Sequence, residues 1–223
     1  MTRKSWGYAA DNGPSCWACL DPAFRLCGCG AEQSPIDLVE ARVANVPSIR
    51  FEYGPIRAAI EDTGRTVQFN SGPGRVLLVG SHRYELQQFH FHHASEHLVD
   101  GTTWPMELHL VHADRKGRLA VVGVLIGEGE ANPAADLLWQ ALVDEPESLG
   151  HIDVDPAALL PATKRAWRYQ GSLTTPPCSE GVSWIVLADT ITFSAPQIAA
   201  FTNFHPPNCR PVQLLGRRSL VIG

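Results

Sequence analysis

Short runs in which apolar and polar residues alternate, separated by glycine- and proline-bearing turns, fill much of the first half of the chain. This is the period-two pattern of half-buried β-strands. Such runs occupy residues 48–53, 66–69 and 75–79. Residues 119–126 are almost continuously apolar, which reads as a buried strand and is too short to cross a membrane. The clearest alternation is Gln88-Phe89-His90-Phe91-His92. Successive strand side chains point to opposite faces, so Gln88, His90 and His92 share one face and Phe89 and Phe91 the other. After the turn dipeptide Asp100-Gly101, a second alternating run places Glu107, His109 and Val111 on one face. An antiparallel neighbour would bring His109 opposite His90 and His92. Helical spacing appears at residues 133–142, behind Asn132 as N-cap. A second short helix is expected at residues 195–201, with Ser194 as cap and Pro196 in its first turn.

Six of the nine histidines lie within residues 88–112: His90, His92, His93, His97, His109 and His112. A single strand histidine is ordinarily structural, and a His-x-His pair alone is weak evidence for a metal. Three neutral imidazoles converging from two strands are what a catalytic zinc site needs. Their lack of charge leaves the full dipositive charge acting on a water in the open fourth position, whose pKa falls to about 7. His93 and His112 have the opposite strand parity. Together with His97 they read as packing or hydrogen-bonding residues.

Longer motifs extend the picture. Gln-Phe-His-Phe-His, Ser-Glu-His-Leu-Val-Asp-Gly and Glu-Leu-His-Leu-Val-His resemble the core signature of the α-class carbonic anhydrases, especially the short bacterial ones. The likeness runs along the chain through Trp6-Gly7-Tyr8, the segment Gln33-Ser34-Pro35-Ile36-Asp37-Leu38, and Gly171-Ser172-Leu173-Thr174-Thr175-Pro176-Pro177-Cys178. It continues through Trp184-Ile185-Val186-Leu187 to Asn208-Cys209-Arg210-Pro211-Val212-Gln213.

The resemblance implies a β-dominated α+β fold. A single domain over residues 1–223 would be built around a large, twisted, mostly antiparallel sheet with a few short peripheral helices. It also implies reversible hydration of carbon dioxide to bicarbonate by a Zn2+ enzyme, a lyase, open to sulfonamide and anion inhibitors. His90, His92 and His109 match the zinc ligands. Gln88, the Asn208 carbonyl and Glu107 match the groups that hold the ligands' far nitrogens. Glu96 and Thr174 match the pair that orients the nucleophile: an ionised Glu96 can only accept, so the Thr174 hydroxyl donates to it and accepts from the ligand on the metal. Val111, Val121, Leu173, Val182 and Trp184 match the apolar wall that receives carbon dioxide, with Thr175 also in the pocket; as bare sequence these are ordinary core residues. Tyr8 matches a residue that orders water. One position departs from the faster members: Arg65 stands where they carry a proton-shuttling histidine. A guanidinium stays protonated through the neutral range and cannot cycle protons as histidine can.

Composition narrows the rest. A net charge of -5 without a lysine- or arginine-rich run argues against nucleic acid as a partner. Residues 1–4 lead directly into Ser5-Trp6, so no secretion signal is visible. Six cysteines nonetheless fit an oxidising compartment, periplasmic or secreted. The resemblance pairs Cys27 with Cys178, tying residues 1–30, an N-terminal arm, to the Thr174 loop. Cys16, Cys19, Cys29 and Cys209 fall outside that pattern. A second bridge among the N-terminal cysteines is expected over a four-cysteine structural zinc site, with its partners unassigned. Bacterial relatives are often dimers, so a homodimer is a further expectation.

Overall fold

The two alternating runs around the histidines become adjacent strands. The structure, a computed structural model, describes residues 5–144, 150–204 and 206–223; residues 1–4 of the expected arm lie outside these. The strands are β1 (Arg42–Val43), β2 (Ile49–Glu52), β3 (Ile56–Asp62), β4 (Val67–Asn70), β5 (Val76–Val79) and β6 (His82–His92), followed by β7 (Met106–Ala113), β8 (Leu119–Glu128), β9 (His151–Val154), β10 (Ala166–Ser172), β11 (Glu180–Phe193) and β12 (Val221–Ile222). They form one 12-stranded sheet in the order β1-β12-β10-β11-β8-β7-β6-β4-β3-β9, with β5 and β2 branching from β6. Pairing is antiparallel except for β1 with β12 and β8 with β11. The expected β-dominated, mostly antiparallel architecture is therefore the one observed.

The sheet has two buried faces. On one, Phe69, Phe89, Phe91, Leu108, Leu110, Val122 and Val124 form the main core. Helices α3 (Pro133–Asp144) and α4 (Ala195–Phe204) lie over it, supplying Trp139 and Phe201 against Phe91. Asn132 caps α3 through its side-chain oxygen, which accepts from Ala134 N at 2.9 Å. Ser194 caps α4, and Gln197 joins the two helices by binding Asn132 and Asp136. The second helix runs three residues beyond the expected end. On the opposite face a smaller apolar cluster gathers Val121, Val182, Trp184, Val186 and Tyr169. The histidine face of β6 and β7 looks toward this second cluster.

The N-terminal segment folds into two helical turns that the periodicity does not reveal, α1 (Trp17–Leu20) and α2 (Leu26–Cys29). Fully buried Trp17 and the Cys27–Cys178 disulfide make a third cluster with Trp6, Tyr8, Leu20 and Phe24. That bridge is the one the resemblance implies. The expected second bridge is not formed: Cys16, Cys19, Cys29 and Cys209 are free thiols. The four-cysteine alternative also fails, because Cys27 is engaged and no metal-competent cluster of three residues among those described contains a cysteine. No described helix is long and apolar enough to cross a membrane.

Candidate metal centre

Strand register brings the three imidazoles together. In the β6–β7 pair His90 lies directly opposite His109, and His92 opposite Glu107. Ligand atoms of His90, His92 and His109 lie within 4.8 Å of one another. The ring contacts settle which nitrogen of each is available. His90 Nδ1 donates to Gln88 Oε1 at 2.8 Å, His92 Nδ1 to the Asn208 carbonyl at 2.8 Å, and His109 Nε2 to Glu107 Oε1 at 2.9 Å. Each acceptor fixes a tautomer, so the opposite nitrogens, Nε2 of His90 and His92 and Nδ1 of His109, carry lone pairs. His92 Nε2 is a buried polar atom without a hydrogen-bond partner among the described residues. Burial pushes all three rings well below or below the ordinary imidazole range, with neighbouring rings adding to the effect, which keeps them neutral. Three neutral nitrogen donors and one orphaned lone pair fit a tetrahedral zinc ion with one position open.

Glu107 is the most heavily used acceptor. Besides His109 it receives His97 Nδ1 at 2.7 Å on the same oxygen, while its other oxygen accepts the backbone N–H groups of Glu96 and His97 at 2.9 and 2.8 Å. Burial alone would raise this carboxyl, but His97 and His109 hold it well below the usual carboxylate range. His97 continues to the Tyr169 hydroxyl at 2.7 Å, which lies 2.9 Å from Ser34 Oγ. The sequence left His97 as a packing or hydrogen-bonding residue without revealing this partner. Position 123 on β8 must be glycine: a Cβ there would sit 2.8 Å from Glu107 Oε1.

Glu96 enters from the β6–β7 connection. Its Oε1 accepts the Arg210 backbone N–H at 2.8 Å, and its Oε2 faces His92 Nε2 at 3.6 Å and His109 Nδ1 at 3.8 Å. Burial raises its pKa to about 7; His109, the nearby Thr174 hydroxyl and the Arg210 N–H pull in the ionised direction. Thr174 is close enough for that influence, although among the described residues Oε2 has no partner at full hydrogen-bond geometry. The loop carrying Thr174 is tied at several points. Trp184 Nε1 donates to the Ser172 carbonyl at 2.9 Å, Leu173 N to Ser179 O, and Cys178 N to Thr175 O, and the disulfide closes its far end.

The remaining expected residues sort into two groups. Val121, Val182 and Trp184 are buried in one cluster with partly buried Val111 and Leu173 against them. The Trp184 ring is 4.9 Å from that of His109. Tyr8, Arg65, Gln88, His90, His92 and Thr175 line a cavity of about 280 Å³. Arg65 borders that cavity, but its guanidinium lies 3.9 Å over the Trp6 ring and donates to Trp6 O and Ser5 Oγ at 2.9 and 2.7 Å. Sequence reasoning passed over the side chains of Arg210 and Gln33, whose contacts span more than 140 residues of chain; their motifs were visible, their work was not.

The family model for eukaryotic-type carbonic anhydrase matches residues 12–221. The carbonic anhydrase of Nostoc sp. is 43% identical, with 97% of this chain and 85% of that protein covered. The carbonic anhydrase of Pectobacterium carotovorum is 40% identical over 97% and 90% of the two chains. Among solved structures, the α-carbonic anhydrase of Thermovibrio ammonificans in complex with the inhibitor sulfanilamide superposes with a TM-score of 0.92 at 37% identity, covering 97% and 98%. The chain belongs to the α-carbonic anhydrase family, lyases whose general reaction is the hydration of carbon dioxide.

Proposed function

We propose that this chain is a zinc-dependent carbonic anhydrase in which His90, His92 and His109 hold the metal. The observation that carries the reading is the set of three converging lone pairs, each fixed by an acceptor on the far side of its ring. Zinc bound there supplies hydroxide at neutral pH and adds a positive charge that favours ionised Glu96. The protein's own residues do the rest. Glu96, ionised, takes the Thr174 hydroxyl proton as a hydrogen bond, so Thr174 can only accept from the nucleophile's O–H. That turns a nucleophile lone pair toward the apolar side of the site. Carbon dioxide has no charged group to clamp, and Val111, Val121, Leu173, Val182 and Trp184 receive it by excluding water.

Export of the proton is the step this chain handles differently. Arg65, stacked on Trp6 and bonded outward, does not relay protons, so transfer depends on solvent held near Tyr8 and on external buffer. A periplasmic or secreted location agrees with the disulfide. Stopped-flow measurement of carbon dioxide hydration tests the reading. Activity in the native protein, loss of more than 99% in His92→Ala, and turnover that climbs with imidazole concentration are expected. An inactive native protein with zinc bound overturns it. Turnover independent of buffer overturns the part assigned to Arg65, as does an Arg65→His variant that gains nothing at low buffer.

A further inference from the structure

Asn208-Cys209-Arg210 touches the site twice through its main chain. The Asn208 carbonyl accepts from His92 Nδ1, and the Arg210 N–H donates to Glu96 Oε1, each at 2.8 Å. Something must hold that backbone in place. At the first residue the Asn208 side chain does so, accepting from His93 N and donating to the carbonyls of Arg65 and Phe91. At the third residue the Arg210 side chain reaches the other way. It is 2% exposed, and among the described residues no carboxylate pairs with it. Nη1 donates to Gln33 Oε1 at 3.0 Å and Ser34 O at 2.7 Å, Nη2 donates to Cys27 O at 2.8 Å, and the guanidinium lies 5.7 Å over the Trp17 ring. Burying a guanidinium whose opposite charge, on Glu96, acts only through space is costly. A guanidinium buried at that cost to bind three neutral oxygens is fixing geometry.

The anchors also reach Thr174. Cys27 is bridged to Cys178, four residues after Thr174, and Gln33 Nε2 donates to the Cys178 carbonyl at 3.0 Å. One frame, made of Cys27, Gln33, Cys178 and the Arg210 guanidinium, thus locates both Glu96 and the Thr174 loop. We infer that Arg210 is a positioning residue: its guanidinium sets Glu96 against Thr174, and thereby makes the site select ligands with a hydrogen to donate. The inference rests on the metal-site reading above and adds to it a structural origin for ligand selection. With the frame intact, the Thr174 hydroxyl is committed to Glu96 and only accepts. With the guanidinium gone, the Arg210 N–H drifts, Glu96 moves off, and the hydroxyl is free to donate to anions that have no hydrogen.

The test compares two ligands on the zinc-loaded protein by calorimetry: sulfanilamide, which keeps an N–H when ionised, and thiocyanate, which has none. In Arg210→Met the ratio of their dissociation constants shifts at least tenfold toward thiocyanate with zinc content unchanged; Arg210→Lys, which keeps a donor for one carbonyl, falls between. Leu138→Ala, a core truncation remote from the site, matches the loss of stability and keeps the native ratio. Reducing the Cys27–Cys178 bridge with a dithiol moves the native protein in the same direction and adds little to Arg210→Met. Should Arg210→Met not fold, Arg210→Lys carries the decision. An unchanged ratio in a destabilised variant overturns the inference alone. A native protein that binds zinc but not sulfanilamide overturns it together with the reading beneath it.

Discussion

Replacing Glu107 by glutamine keeps the size of the side chain and turns one of its oxygens into a donor. Among the described residues, all four hydrogen-bond partners of the carboxylate are N–H groups. The two backbone N–H groups, from Glu96 and His97, cannot become acceptors, so the amide oxygen must stay on their side. The amide nitrogen then faces His97 Nδ1 and His109 Nε2. Both rings satisfy it by moving a proton to the opposite nitrogen, and in His109 that nitrogen is Nδ1, the atom that points toward His92 and Glu96. The local hydrogen bonds survive, but four charge-assisted bonds become neutral ones. Each is weaker by about 1 kcal/mol, about 4 kcal/mol in all, and relief from burying a charge returns roughly half. The net cost of about 2 kcal/mol lowers the melting temperature of a protein this size by roughly 4–8 °C. Zinc affinity suffers more, because His109 must give up a proton before it can ligate. A fall of at least 10- to 100-fold is expected, read by competition with a chromophoric chelator, with melting followed in excess chelator. A Glu107→Gln protein that binds zinc as the native one does would refute the tautomer argument.

Three further outcomes follow from the same geometry. Gly123→Ala drives a methyl group to 2.8 Å from the pinned Glu107 oxygen; zinc affinity drops at least tenfold in the chelator competition while the far-ultraviolet spectrum stays native. Fully buried His112 has its pKa lowered to about 4 by burial, against 6.5 when exposed. The unfolded chain therefore takes up this proton first. The stability His112 contributes is complete above pH 6.5 and is lost as pH falls from 6.5 toward 4, about 3 kcal/mol in all; comparison of melting temperature against pH with His112→Gln shows a shallower acid limb in the variant. Replacing Cys27 and Cys178 by alanine opens a crosslink between residues 151 apart and costs about 2–5 kcal/mol in denaturant unfolding.

How far the sequence carried the reading depends on the length scale of the contact. Alternation put Gln88, His90 and His92 on one face of β6 and Glu107 and His109 on one face of β7, and antiparallel pairing made these the same face of the sheet; both are local facts of strand geometry. The Asn208 carbonyl and the Thr174 loop came from motif likeness, since no periodicity links residues 116 apart in chain. Glu107's hold on His97 and the anchoring of Arg210 were hidden, because a long side chain's destination depends on how distant segments pack. The free cysteines illustrate the same limit: an even count hinted at a second bridge, but bridging needs two Cβ atoms brought close together, which sequence spacing does not specify. Strand β3, with Ile56, Ala58 and Ile60 buried, alternates as clearly as its neighbours but sits among glycines and prolines that blur its limits.

On the proposed function, three histidine nitrogens hold one zinc ion and carbon dioxide hydration requires it. The most direct measurement strips the protein with a chelator, adds zinc back in sub-stoichiometric steps, and follows hydration by stopped flow at each step. No catalysis is expected in the stripped protein, followed by a linear rise that stops at one zinc per chain. Hydration that persists in the stripped protein, or zinc that binds one per chain without restoring it, would rule out a catalytic zinc on these three histidines.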